Sequence, residues 1–283
     1  MAEGGGEAAT APASRGLERI AAAFAAARGQ GRAALMPYMM AGYPSVEGSK
    51  AVARAYADAG ADLVELGIPF SDPLADGPVI HAAATAALEA GTDTEAALDV
   101  CAEIADRLPV VAMTYANTIL AGGGPDEFAG RLAAVGACGA IVPDMPLEEA
   151  GPVREALRRA GLAFVPLVAP TTPPERRRAI CDSVSGDGFV YVVSTVGVTG
   201  ERSDLPAELT ELVRGVKEAS QAPVAVGFGI GTPEQAAAVG GLADGVIIGS
   251  RLVRTAGEEP LEAALDEIGT FLRDVRDALG DGN

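Results

Sequence analysis

The chain has 283 residues but a single histidine, His81, only three cysteines and no tryptophan. Each scarcity closes off a class of chemistry. A Ser-His-Asp triad, a Cys-His pair or a multi-histidine metal site would have only His81 to draw on. No metal is therefore expected, and acid–base work falls mainly to carboxylates and tyrosines. Cys101, Cys138 and Cys181 are odd in number and form no CxxC pair, so buried free thiols are a simpler reading than disulfides or a thiolate zinc site. Basic residues are also short, 21 Lys plus Arg against 39 Asp plus Glu, for a net charge of −18. Without a basic stripe, nucleic acid is not an expected partner, because its phosphates must be neutralised. No apolar run approaches the roughly 20 residues of a membrane span. The opening MAEGGGEAATAPAS has neither the basic start nor the apolar core of a signal peptide. Residues 1–14 are expected to form a disordered tail and residues 15–280 one domain, in the cytoplasm.

Hydrophobic residues make up 49% of the chain, with 36 glycines and 19 prolines, enough for one large core. Short apolar runs alternate with Ala/Leu/Glu-rich helical stretches. The predicted strands are Ala34–Met40, Leu63–Gly67, Val110–Tyr115, Gly139–Val142, Ala163–Val168, Gly188–Val193, Val224–Phe228 and Gly245–Ile248. Most are continuous rather than alternating, as parallel strands covered on both faces should be. Helices are predicted at Ser45–Ala59, Asp93–Leu108, Leu147–Ala160, Pro206–Gln221 and Pro233–Val239 among others. Ser45, Asp93 and Thr232 stand where N-caps belong, the last followed by a first-turn proline. Eight strands of this kind predict an α/β fold, a (β/α)8 TIM barrel. An open doubly wound sheet is disfavoured, since no GxGxxG follows the first strand. Extra helices at Gly16–Arg28 and Leu261–Leu279 would cap the barrel or pack outside it.

In such barrels chemistry sits in the loops after the strands. The loop after the second strand is the richest: Glu65-Leu66-Gly67-Ile68-Pro69-Phe70-Ser71-Asp72-Pro73-Leu74-Ala75-Asp76. Glu65 falls inside an apolar strand, where burial raises a carboxyl pKa into the range of a general acid or base. Asp76 follows eleven residues later on a proline-stiffened loop, and two carboxylates in different environments can divide acid and base roles. On spacing alone a structural reading stays open, with Asp72 and Asp76 capping turns and Glu65 paired to a buried cation. Gly227-Phe228-Gly229-Ile230-Gly231-Thr232-Pro233 and Ile248-Gly249-Ser250 end the last two strands. Their glycines and following helix starts are able to cradle a phosphate with backbone amides, or they are only turns. Tyr38, Met113, Tyr191 and Phe228 lie in or at the end of strands and face either core or site.

The run ELGIPFSDPLADGPVI resembles the signature loop of the tryptophan synthase alpha chain family. The resemblance extends through Pro37-Tyr38, Tyr115-Ala116-Asn117, Asp144-Met145-Pro146, Ser194 to Gly200, Gly227 to Ile230 and Gly249-Ser250. It implies the same barrel, with Glu65 and Asp76 as the catalytic pair and Tyr191 supporting proton transfer near Glu65. It also implies phosphate contacts at Gly200, Gly229, Gly249 and Ser250, a pocket lined by Tyr38, Met113 and Phe228, and a lid over Gly197–Pro206 with Thr199 reaching toward Asp76. The implied reaction is aldol cleavage of indole-3-glycerol phosphate to indole and glyceraldehyde 3-phosphate. No cofactor is implied for this chain. The implied partner is a tryptophan synthase beta chain carrying pyridoxal phosphate, in an alpha2beta2 assembly that meets this chain at Asp72, Pro73 and Tyr115–Asn117. A stand-alone lyase, freeing indole without a partner, would share every catalytic residue. A non-catalytic barrel that only activates a partner would have no need of both carboxylates and the glycine loops. One departure is His81, where the family often carries glutamine; a surface-facing structural histidine is the reading there.

Overall fold

A computed structural model describes residues 15–184, 188–193, 205–227 and 229–281. Their elements run α1 (Arg15–Gly29), β1 (Ala34–Met40), α2 (Val46–Asp58), β2 (Val64–Gly67), α3 (Pro78–Glu89), α4 (Thr94–Ala105), β3 (Val110–Met113), α5 (Ala116–Ala121) and α6 (Pro125–Ala134). Then come β4 (Gly139–Ile141), α7 (Gly151–Arg159), β5 (Ala163–Val165), β6 (Leu167–Val168), α8 (Pro174–Val184) and β7 (Val190–Val193). The last are α9 (Ala207–Ala219), β8 (Val224–Gly227), α10 (Pro233–Gly240), β9 (Gly245–Ile248), α11 (Ser250–Ala256) and α12 (Leu261–Asp281).

All neighbouring strands are parallel, in the order β5-β4-β3-β2-β1-β9-β8-β7-β6. The two ends of that order, β5 and β6, are halves of one stretch separated by Pro166. The expected continuous strand Ala163–Val168 is therefore corrected to two segments. Pro166 has no N–H to give to a ladder, but its carbonyl accepts from the Tyr191 amide at 3.0 Å. The ring thus closes as an eight-stranded barrel whose fifth strand changes partner at a proline. The expected strand Val110–Tyr115 is also shorter, ending at Met113, and Tyr115 is the N-cap of α5.

Side chains alternate across the strands. Leu35, Met39, Val64, Leu66, Val110, Val190, Val224 and Val246 face outward and pack under the helices. Met36, Leu63, Val111, Ile141, Val165, Phe189, Ala225 and Ile247 fill the interior. The barrel floor is plugged by α1, whose Ile20, Phe24 and Ala27 belong to that same interior cluster. Phe24 meets Phe189 at 5.5 Å between ring centroids. A Cβ on Gly245 would lie 2.9 Å from the Phe24 ring, so this position has no room for a side chain. By contrast α12 packs outside, against α2, α10 and α11.

The predicted caps form. Ser45 Oγ accepts from Gly48 N at 3.0 Å, Asp93 Oδ1 from Ala96 N at 2.9 Å and Thr232 Oγ1 from Gln235 N at 3.3 Å. Cys101, Cys138 and Cys181 are buried free thiols. Among the described residues no helix is long and apolar enough to cross a membrane.

Candidate active site

With the floor plugged, the open end of the barrel is the one bearing the loops after the strands. A pocket of about 310 Å³ opens there, and its lining includes Tyr38, Glu65, Asp76, Met113, Tyr191, Gly229, Gly249 and Ser250. Eight positions singled out in the sequence thus converge on one cavity from six strands and the loops that follow them. Ile141, Leu167 and Ile247 complete an apolar wall. Thr199, Gly200, Phe228, Ser194 and most of the expected lid lie outside the described residues.

Glu65 is inward-facing on β2 and 1% exposed. No buried cation pairs with it among the described residues, and its Oε2 has no hydrogen-bond partner there. Burial first, and the nearby Asp76 charge second, push its carboxyl up to about 8. Asp76 is half-buried at the end of the loop, with its amide bonded to Pro73 O at 3.0 Å. Its carboxyl is pushed up to about 6 by burial, against the opposing pull of a Tyr115 hydrogen bond and of His81. The two carboxyls therefore differ: near neutrality Glu65 holds its proton and Asp76 is mostly ionised.

Tyr115, which the resemblance implies only as part of a partner surface, also holds the Asp76 loop. Its ring stacks on Phe70, with centroids 5.1 Å apart and planes at 25°. Its hydroxyl accepts from Ala75 N at 3.2 Å and also bonds Asp76. One buried tyrosine thus ties the Asp76 loop down at three points. Asp144 in turn accepts from Ala116 N at 2.9 Å and so secures the start of α5 beside it.

Two further tyrosines share the pocket with Glu65. Tyr38 on β1 is the Cα partner of Glu65 in the ladder, so both side chains point to the same face. Its backbone carbonyl is held by the Tyr56 hydroxyl at 2.9 Å. Tyr191 on β7 leans over Gly227. Burial raises the phenols of Tyr38 and Tyr191 well above their ordinary range, and the adjacent carboxylates add to this. Both remain neutral donors at any working pH. Met113 belongs with the interior core and also faces the pocket. His81 is exposed on the first turn of α3, yet its charge reaches Asp76, so the surface-facing reading omits an electrostatic link.

At the opposite rim, Gly229 has a φ of +61°, and among the described residues nothing lies within 4 Å of where a Cβ would project. Gly249 is the N-cap of α11, and Ser250 is its first residue. Gly231 N is already taken by Gln235 Oε1 at 2.8 Å. An anion here would meet backbone amides rather than lysines, which suits a strongly acidic protein.

The chain matches a family model described as the tryptophan synthase alpha chain over residues 24–278. It is 47% identical to the tryptophan synthase alpha chain of Carboxydothermus hydrogenoformans over 239 residues, 84% of this chain and 88% of that one. A Synechococcus relative of the same description is 45% identical over 92% of this chain and 96% of its own. Among solved structures, a tryptophan synthase of Mycobacterium tuberculosis superposes with a TM-score of 0.84 at 38% identity, covering 94% of this chain and 98% of that one. The alpha subunit from Legionella pneumophila strain Paris gives 0.81 at 34% identity, over 93% and 98%. On sequence and on fold alike, the chain belongs to the tryptophan synthase alpha chain family.

Proposed function

We propose that this chain, in tryptophan biosynthesis, cleaves indole-3-glycerol phosphate to indole and glyceraldehyde 3-phosphate, a lyase reaction carried by Glu65 and Asp76. The observation that carries the reading is that two carboxyls in unlike settings line one pocket, Glu65 fully buried and Asp76 half-buried, and burial pushes them up to about 8 and about 6. Cleavage needs the indole ring to accept an electron pair. Glu65, protonated at neutral pH, gives its proton to ring C3 and so creates an indoleninium cation. Asp76, ionised, faces the ring N–H and stabilises the positive charge. Glu65, now a carboxylate, removes the proton of the adjacent glyceryl hydroxyl, and the carbon–carbon bond breaks. Tyr191 supports these transfers from across the pocket.

The apolar wall of Met113, Ile141, Leu167 and Ile247 suits a flat ring. Gly229, Gly249 and Ser250 would hold the phosphate, together with Gly200. Phe228 would add to the ring pocket, and Thr199 would belong to a lid over it. The chemistry asks for no cofactor in this chain. Pyridoxal phosphate would serve the beta chain, which consumes indole.

A beta-chain partner follows from family membership, and we propose an alpha2beta2 assembly. Leu74, 92% exposed beside Asp72 and Pro73, and Leu120, 62% exposed on α5, are large apolar side chains turned to solvent on the face expected to meet it. The deciding experiment assays the purified chain on indole-3-glycerol phosphate, with and without a beta chain. Indole should form in both cases and faster with the partner. Full activity of the chain alone would make it a stand-alone lyase. No indole under either condition would overturn the reading.

A further inference from the structure

The Tyr38 hydroxyl is buried without a hydrogen-bond partner among the described residues, and the residue is only 4% exposed. Its neighbour across the ladder, Glu65, leaves Oε2 in the same state. Buried polar atoms in folded proteins are almost always paired. Two adjacent orphans lining one pocket therefore call for a ligand atom that serves both. Ring size does not explain the hydroxyl, because phenylalanine would fill the same space without the unsatisfied donor.

The position of Tyr38 along the pocket says which ligand atom. A Cβ on Gly249 would touch Tyr38 Cβ at 3.6 Å and its Cγ and Cδ1 at 3.8 Å, so the root of the ring lies beside the proposed phosphate rim. The hydroxyl end passes over Gly67, two residues beyond Glu65 on β2. The side chain thus spans from the phosphate end to the acid–base end, alongside the path a glyceryl chain must follow.

We propose that Tyr38 is a further catalytic residue, whose hydroxyl donates a hydrogen bond to the glyceryl oxygen from which Glu65 removes a proton. This rests on the cleavage reading given above. As Glu65 takes that proton, negative charge grows on the oxygen and the Tyr38 donor stabilises it. The former O–H pair becomes the carbonyl bond. The carbon–carbon pair returns to the protonated ring and neutralises its nitrogen. The proton gained by Glu65 replaces the one it gave to C3. Tyr38 itself transfers nothing, and its raised phenol pKa keeps it a donor throughout.

The test is Tyr38→Phe, compared with wild type in the presence of a beta chain. Cleavage of indole-3-glycerol phosphate is measured beside binding of an indole-3-alkyl phosphate that lacks both glyceryl hydroxyls. The expected result is a fall in kcat of about ten- to a hundredfold, scaled from the loss of one donor to a developing oxyanion. Binding of the hydroxyl-free analogue should change less than about twofold, and the melting temperature should hold or rise because an unsatisfied polar atom is gone. An unchanged kcat would overturn the role. Equal weakening toward substrate and analogue would overturn it too, by pointing to ring packing instead. A wild-type chain that forms no indole would overturn the cleavage reading and this role together, whereas a cleaving wild type with an unaffected variant overturns only the role of Tyr38.

Discussion

Gly227 leaves the space that the Tyr191 ring occupies: a Cβ at this glycine would lie 2.5 Å from the tyrosine hydroxyl oxygen and 2.8 Å from Cε2. Across the barrel mouth Gly67 stands in the same relation to Tyr38, where an added methyl would overlap the hydroxyl. Each tyrosine therefore reaches over a glycine at the end of an adjacent strand, β8 for Tyr191 and β2 for Tyr38.

This makes Gly227→Ala a selective perturbation. Gly227 is not one of the positive-φ glycines among the described residues, so the methyl acts on Tyr191 and not on local conformation. Displacing a side chain by about 1 Å at a reacting centre is able to cost on the order of 100-fold in rate. Indole formation should fall by about ten- to a hundredfold, while circular dichroism stays that of a folded barrel. Wild-type turnover in the variant would show that the position of Tyr191 is unimportant.

The pH profile follows from the two carboxyls. The working form has Asp76 ionised and Glu65 protonated. Asp76 loses its charge as pH falls through about 6, and Glu65 loses its proton as pH rises through about 8. A plot of kcat/KM against pH should be bell-shaped with limbs near those values, which belong to the coupled pair. A profile flat from pH 5 to 9 would remove the division of labour.

The same burial makes Glu65 a liability to the fold at high pH. Its pKa is about 4.5 when unfolded and about 8 when folded. Between those values the folded state holds a proton that the unfolded state has released, so stability declines as pH rises from about 4.5 to 8 and then levels off. Glu65→Gln has no proton to lose. The variant should match wild type near pH 4 and exceed it at pH 8.5, by on the order of several kcal/mol at most. Denaturant melts at both pH values measure the difference. A variant equally stable relative to wild type at both would refute the buried, uncharged state of Glu65.

Much of this architecture is written in local chemistry. Continuous apolar runs mark the parallel strands, and Ser45, Asp93 and Thr232 cap the helices they precede. The site's two carboxyls were legible because one interrupts an apolar strand and the other ends a stiff loop. The break at Pro166 was legible in principle, since proline cannot donate to a ladder. Other features depend on distant contacts. Tyr115 lies 40 residues from Ala75, whose amide it accepts, and nothing near it in sequence signals that bond. The helix α3 has glycine at its N-cap and no side-chain cap, so its start carries only the weak mark of Pro78. The inward turn of Tyr38 and Tyr191 is fixed by ladder register, which a run such as Val190-Tyr191-Val192-Val193 does not reveal without its partners.

The single histidine of the chain, His81, offers a handle on the Asp76 carboxyl. Asp76 is faced by Glu65 from β2, Tyr38 from β1, Tyr191 from β7, Tyr115 at the start of α5 and His81 from α3. Of these, only His81 is able to carry positive charge, and its effect is to lower the Asp76 pKa. His81→Gln removes the charge, so the acid limb of the profile should move up in pH. His81→Arg fixes the charge, so the limb should stay low. Because His81 is exposed, its field crosses solvent, and high salt should shrink the difference between the two variants. Surface placement also predicts stability changes within about 0.5 kcal/mol for both. Activity at the plateau should be retained, since the imidazole is not assigned to the chemistry. The decisive measurement is kcat/KM against pH for wild type and both variants at low and high ionic strength. Identical acid limbs at low salt would mean that the histidine charge does not reach Asp76, leaving Tyr115 alone to offset the burial of that carboxyl.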